Sequence, residues 1–223
     1  MIYIPEIEGN LRKHMVKIPT VINSASGINI FGKNIKSLLF STDVAIIKNC
    51  NANAVIAVYP FTPQPIITHS IINASDIPVF CGVGGGTTTG KRVINIAMHA
   101  EFQGAIGVVV NAPTSNGVIS ALAAKIDIPI VITVASDNTD IKGRIDAGAS
   151  ILNVSCAAKT PEVVRSIREQ YPKIPIIATG GPTKESIQDT IDAGANTITY
   201  TPPTSAELFT ELMNKYRADI KND

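Results

Sequence analysis

Residues 84–91 read Gly-Gly-Gly-Thr-Thr-Thr-Gly-Lys, between the apolar run 77–83 and a helical pattern that starts near Lys91. The chemistry open to such a stretch is the binding of anions. Consecutive glycines can turn several backbone N–H groups toward one point, and Thr87, Thr88 and Thr89 add hydroxyl donors. Lys91 would bring positive charge to a helix N-terminus that already favours anions. The stretch also fits GxxxxGK, but Arg92 follows where magnesium coordination requires Ser or Thr. No strand-like run ends in the aspartate that would complete a nucleotide site. The loop is therefore not a P-loop. Gly85, Gly86 and Thr87 are candidates for an anion site or a lid, against the plainer reading of a loop that simply needs turns.

Other reactive side chains are few. Asp137 is the one carboxylate directly at the end of an apolar run, which makes it the candidate general base. Within Ser136-Asp137-Asn138-Thr139-Asp140 the same residue could equally cap a helix. Cys156 and Cys81 are nucleophiles if a neighbour acidifies them, and inert packing groups if they are simply buried. Asn111 and Asn153 interrupt apolar runs and need hydrogen-bond partners, so they either line a pocket or knit the core. His14, His69 and His99 lie in the lead-in and in helical patterns, without metal-ligand spacing, and neither a metal site nor a cofactor is expected. Past their entrance residues, no Lys, His, Asp or Glu falls within the strand-like runs described next, although Lys159 follows one closely. Schiff-base chemistry, which needs a desolvated lysine, is not expected.

These groups must be positioned by a repeated framework. Four segments begin alike: KIPTVIN at 17, DIPVFCG at 76, DIPIVIT at 127 and KIPIIAT at 173. Four others alternate with them and enter through small residues: ANAVIAVYP at 52, GAIGVVVNAP at 104, AGASILNVS at 147 and AGANTITYTPP at 193. Short runs rich in Val, Ile and Thr read as strands buried on both faces of a parallel sheet. Proline is tolerated at a strand's first position. Glycine in the AGA turns supplies the left-handed residue that ends a helix. Helix starts stand between the runs, at Thr160-Pro161-Glu162, at Thr183-Lys184-Glu185-Ser186 and at Ser205-Ala206-Glu207. Eight such units without a linker predict a single α/β domain over residues 1–223, a (β/α)8 TIM barrel, rather than an open doubly wound sheet. Residues 1–16 are expected to close the barrel floor, and residues 33–50, with Leu-Leu-Phe-Ser inside them, read as one broken helix.

Bulk properties exclude several classes of partner. A net charge of +1 gives no footprint for nucleic acid or an anionic membrane. No apolar run reaches the roughly 18 residues of a membrane span, and the charged N-terminus does not read as a signal peptide. Three scattered cysteines form no disulfide or zinc pattern, so a cytoplasmic location is expected. Helical barrel exteriors often dimerise, and a homo-oligomer is compatible with this reading.

The segment IPIIATGGPTKESIQDTIDAGANTITYTPPT, residues 174–204, resembles the end of phosphate-binding barrels of the ribulose-phosphate-binding type. Thiamine phosphate synthase, N-acetylmannosamine-6-phosphate epimerase and the ketodeoxyphosphogluconate aldolases are examples. The resemblance implies that Gly180 and Gly181 offer N–H groups to a substrate phosphate. It also implies that the turn after the last strand meets the same phosphate. Family members usually have a small Gly-Ser-type turn there, whereas this chain has Pro202 and Pro203, which carry no N–H; the contact then falls to Thr204 and Ser205. The implied partner is a small phosphorylated metabolite. The expected function is a lyase or isomerase acting on a phosphorylated sugar or sugar acid. The alternatives are a hydrolase or a non-catalytic regulatory barrel, the latter by analogy of fold with glycerol-operon antiterminators.

Overall fold

The computed structural model describes residues 14–220 and, ahead of them, Pro5, Ile7, Gly9 and Asn10. A 3-10 turn (Thr20–Ser24) leads into a hairpin of β1 (Ile28–Ile30) and β2 (Lys33–Ile35). The repeat then begins: β3 (Ser37–Phe40), α1 (Val44–Lys48), β4 (Ala54–Ala57), α2 (Pro65–Ala74), β5 (Val79–Gly84) and α3 (Lys91–Phe102). It continues with β6 (Gly107–Val110), α4 (Asn116–Ala123), β7 (Ile130–Val134), α5 (Ile141–Asp146), β8 (Ile151–Val154) and α6 (Thr160–Gln170). It closes with β9 (Ile176–Thr179), α7 (Lys184–Asp192), β10 (Thr197–Tyr200) and α8 (Ser205–Ile220). Strands β3 to β10 pair in parallel, each with the next, and β10 pairs with β3 to shut the barrel. This is the expected (β/α)8 barrel.

The entrance motifs act through backbone chemistry. Pro78, Pro129 and Pro175 each accept from the neighbouring strand, from the N–H groups of Val55, Val108 and Leu152 at 2.8, 3.0 and 3.0 Å. Lacking an N–H, proline joins a ladder from the acceptor side alone, which suits the first position of a strand. At the helix ends Gly104, Gly148 and Gly194 take φ of +93°, +110° and +108°. The following alanines donate back to Ala100, Arg144 and Thr190, which makes each turn a Schellman motif.

Two expectations fail together at the N-terminal side. The segment KIPTVIN is not a strand: Pro19 accepts from Ile22 at 3.1 Å and begins the 3-10 turn. The first barrel strand is instead β3, inside the stretch expected to be a broken helix. Leu38 and Leu39 are fully buried on its two faces, one toward the barrel interior and one toward the helices. Ser37 has no exposed surface, and Asn53 satisfies it by accepting from its N–H and hydroxyl and donating to its Oγ. The remainder of 33–50 holds β2 and the five-residue helix α1, capped by Asp43.

The hairpin turns through Phe31 and Gly32, at φ of +46° and +78°, as a two-residue turn between right-twisted strands requires. Its Ile28, Ile30 and Ile35 pack with Leu38, Ile56, Phe80 and Ile151 in the barrel interior. The hairpin thus fills the floor. The part expected of residues 1–16 lies largely outside the described residues; of these, Val16 bridges to Cys50 at the entrance to β4.

Candidate functional site

Strand alternation sets what faces the C-terminal mouth of the barrel. Val109, Val131, Ile151 and Ile177 pack in the interior, so Asn111, Thr133, Asn153 and Thr179, two residues further along, face the same way one layer higher. Asn153 Nδ2 donates to Thr133 Oγ1 at 3.5 Å, and Thr179 Oγ1 donates to Ser155 Oγ at 3.2 Å. Thr199, on β10, is about nine-tenths buried and its hydroxyl has no partner among the described residues. This side of the mouth is lined by neutral hydroxyl and amide groups.

On the other side lies a cavity of about 230 Å³. Its walls are Val58, Tyr59, Pro60, Phe61 and Pro63 after β4, Gly82 with residues 84–88 on and after β5, and Val109 and Asn111 on and after β6. The register of β5 shifts between Gly82 and Gly84, which re-aims the chain as it enters the glycine loop. Gly84 O accepts from Asn111 N–H at 3.0 Å, and Gly85 N–H donates to Thr88 O at 2.9 Å. Gly85 has φ of +97°, and a Cβ there would stand 2.6 Å from Asn111 N. The buried hydroxyl of Thr114 also lies against Gly85 and has no partner. Among the described residues, the N–H groups of Gly86, Thr87, Thr88 and Thr89 donate to no protein acceptor. Gly86, Thr87 and Thr88 lie on the cavity wall and Thr89 follows just outside it; free backbone donors of this kind can serve an anion.

A cationic clamp holds the segment that packs against Gly85. Arg144 of α5 donates to Thr114 O, to Asn116 Oδ1 at 2.9 Å and to Ala112 O at 2.8 Å, fixing the loop 112–116 beneath Gly85. Nothing in the spacing of the sequence marks Arg144, because its partners, two backbone carbonyls and the Asn116 amide oxygen, lie some thirty residues away.

The structure thus brings Gly85, Gly86, Thr87 and Asn111 together and sets Asn153 across the mouth from them. It separates the remaining candidates. Lys91 is the first residue of α3, exposed, and outside the cavity wall. Asp137 lies in a different groove, of about 300 Å³ between α5 and α6, shared with Thr139, Lys142 and Tyr171. Its carboxylate is exposed and 3.4 Å from Lys159 Nζ. Lys159, with help from the Ser136 hydroxyl, holds its pKa below the usual carboxylate range, which makes it a weaker base. Cys156 points its Sγ toward Val134 O at 3.5 Å, and partial burial raises its pKa. Cys81 is buried in the layer between barrel and helices, and desolvation pushes it up to about 12. Neither thiol is poised as a thiolate.

The glycines after β9 have packing reasons of their own. A Cβ on Gly180 would sit 2.8 Å from both Ile187 Cγ1 and Ile198 Cγ2, and Gly181 has φ of +79° against Ser186. At the start of α8 the Thr204 N–H and the Thr204 and Ser205 hydroxyls are already engaged. Thr204 gives its N–H and its hydroxyl to Glu207 Oε2 at 2.7 and 2.8 Å, and Ser205 Oγ donates to Asp43 Oδ2. These bonds lower the pKa of both carboxyls, the largest cause being the Thr204 N–H for Glu207 and the Ser205 hydroxyl for Asp43. A phosphate at this turn would face two carboxylates. Among the described residues no three His, Cys, Asp or Glu side chains gather as a metal site would need. No described helix is long and apolar enough to cross a membrane.

No protein-family model and no curated protein sequence matches the chain. Solved structures do match in shape. A phosphonopyruvate hydrolase, determined in complex with oxalate and Mg²⁺, superposes with a TM-score of 0.64 at 14% identity, over 87% of this chain and 85% of its own. A 2,3-dimethylmalate lyase of the PEP mutase/isocitrate lyase superfamily gives 0.63 at 12% identity, over 92% and 89%. The thiamine phosphate pyrophosphorylase of Pyrococcus furiosus gives 0.57 at 17% identity, over 74% and 84%. At such identities the likeness concerns the architecture, and on that ground the chain is a TIM barrel.

Proposed function

We propose that this barrel is an enzyme of lyase or isomerase type acting on a small phosphorylated or phosphono acid or sugar, with the phosphoryl oxygens held by the loop 84–90. The observation that carries this reading is the run of N–H groups at residues 86–89 that have no protein acceptor among the described residues, with Gly86, Thr87 and Thr88 on the wall of a cavity in the barrel mouth. Sites in this fold form at that face. The similar structures include proteins named for phosphonopyruvate and thiamine phosphate. This agrees with the expected phosphate-binding barrel, but moves the anion from the β9 and β10 turns, where Glu207 and Asp43 stand, to the loop after β5. The hydroxyl and amide groups of Thr133, Asn153, Ser155, Thr179 and Thr199 would then meet the acid or sugar portion. Tyr59 lies on the cavity wall, and its hydroxyl, which accepts from Gln64 N–H, can also donate a hydrogen bond.

A second reading, a non-catalytic barrel that binds such a metabolite and reports it, draws support from the same wall: among the described residues no carboxylate, lysine or histidine lines the cavity. Thermal unfolding with inorganic phosphate and a panel of phosphorylated acids and sugars tests the common part. A ligand at ~100 times its Kd adds about 2.7 kcal/mol. Gly86→Asp should abolish the gain without harming the fold, because a Cβ at Gly86 meets nothing within 4 Å. A gain that survives Gly86→Asp would place the anion elsewhere. Turnover of the stabilising ligand then separates enzyme from reporter, and loss of turnover in Asp137→Asn would return that residue to the chemistry.

A further inference from the structure

The proposed anion-binding loop faces a second wall that it does not by itself explain. Residues 58–65 read Val-Tyr-Pro-Phe-Thr-Pro-Gln-Pro. Pro60, Pro63 and Pro65 each fix φ and remove freedom that the free segment would otherwise have. Tyr59 Oη accepts the Gln64 N–H at 2.9 Å, closing the segment on itself. Thr88 Oγ1 donates to Thr62 Oγ1 at 3.3 Å, bracing the segment against the glycine loop. Its conformation is therefore set before a ligand arrives, and at its tip Phe61 stands 74% exposed on the cavity wall. Burying a phenylalanine side chain is favourable. Preorganised apolar surface beside a cluster of polar donors is how a site reads a ligand with two unlike ends.

We propose that the ligand carries a flat apolar group next to its oxyanion, and that Phe61, with Tyr59 and the flanking prolines, is the surface that selects it. The class is a phosphorylated or phosphono acid that carries an aryl or similarly planar group, which narrows the proposed acid-or-sugar class to the acids. A cavity of about 230 Å³ falls below the drug-sized range of about 300–1,000 Å³, so the group is a single ring or smaller. This inference rests on the oxyanion reading of the loop 84–90. The experiment is calorimetric titration of the wild-type chain and of Phe61→Ser with three probes: inorganic phosphate, glycerol phosphate and phenyl phosphate. The exposed position of Phe61 lets the variant fold. Phenyl phosphate should bind at least about tenfold more tightly than glycerol phosphate, roughly the worth of one stacked ring. Phe61→Ser should remove that preference and leave the affinity for inorganic phosphate unchanged. Equal affinities for the two esters, or a preference that survives Phe61→Ser, would overturn the inference and leave the oxyanion site standing. Failure of all three probes to bind would remove the oxyanion reading, and this inference with it.

Discussion

Asp43 ties the barrel closed at one side chain. Its Oδ1 accepts from the N–H groups of Ala45 and Ile46 at 2.9 and 3.2 Å, and its Oδ2 accepts from Ser205 at the start of α8. The Ser205 hydroxyl, followed by the two backbone bonds, outweighs desolvation and lowers its pKa. A depressed carboxyl contributes stability that is fully present above its unfolded pKa of about 3.9, and that disappears as pH falls through the lower folded value. Asp43→Ala is accordingly expected to cost about 1 kcal/mol at neutral pH. Urea melts at pH 7 and in strong acid measure it; a difference that persists undiminished in acid would mean that the charge is not what holds the cap. Glycine positions show how far a single residue can be read. That residues 85, 180 and 181 are glycine is plain from the sequence. That Gly85 makes room for Asn111, whereas Gly180 makes room for Ile187 and Ile198, depends on neighbours distant in the chain.

At the scale of elements, seven of the eight expected strands stand where their apolar runs lie, and the eighth was displaced by a motif that looked the same. Ile18-Pro19 and Ile77-Pro78 are identical dipeptides. Pro78 finds a strand that donates to its carbonyl, while Pro19 closes a local turn onto Ile22. Local sequence cannot distinguish the two, because the deciding donor comes from another strand. The hairpin escaped notice for a related reason: Phe31-Gly32 is not one of the usual Asn-Gly or Asp-Gly turn signals, although Ile28, Ile30 and Ile35 do all face the interior. Ile35 is 2% exposed, and Ile35→Ala should therefore cost about 2–5 kcal/mol, as core truncations do. Chemical denaturation checks it, and a loss under about 0.5 kcal/mol, the size of a surface change, would show that the hairpin does not belong to the packed interior.

For the molecule as a whole, α8 departs from the pattern of the other helices. Phe209, Leu212, Met213 and Tyr216 share one face at helical spacing and are 67%, 40%, 41% and 51% exposed, while Leu208 packs on the barrel layer. Phe209→Ser should change thermal stability at low protein concentration by no more than about 0.5 kcal/mol, as exposed positions do; a larger loss would mean that this face is covered in solution. The barrel itself was determined by the sequence, through the repeat of short apolar runs, proline entrances and glycine helix stops, because each of these acts on the backbone within a few residues. The glycine-threonine loop was legible as an anion candidate for the same local reason. Which strand came first, what filled the floor, and which candidates shared a cavity were decided by the tertiary structure alone. Barrel closure brings β10 beside β3, Arg144 beneath Gly85, and Tyr59 and Phe61 opposite the loop 84–88, and it leaves Asp137 in a groove of its own. Those meetings depend on the path of the whole chain, and no stretch of residues carries them by itself.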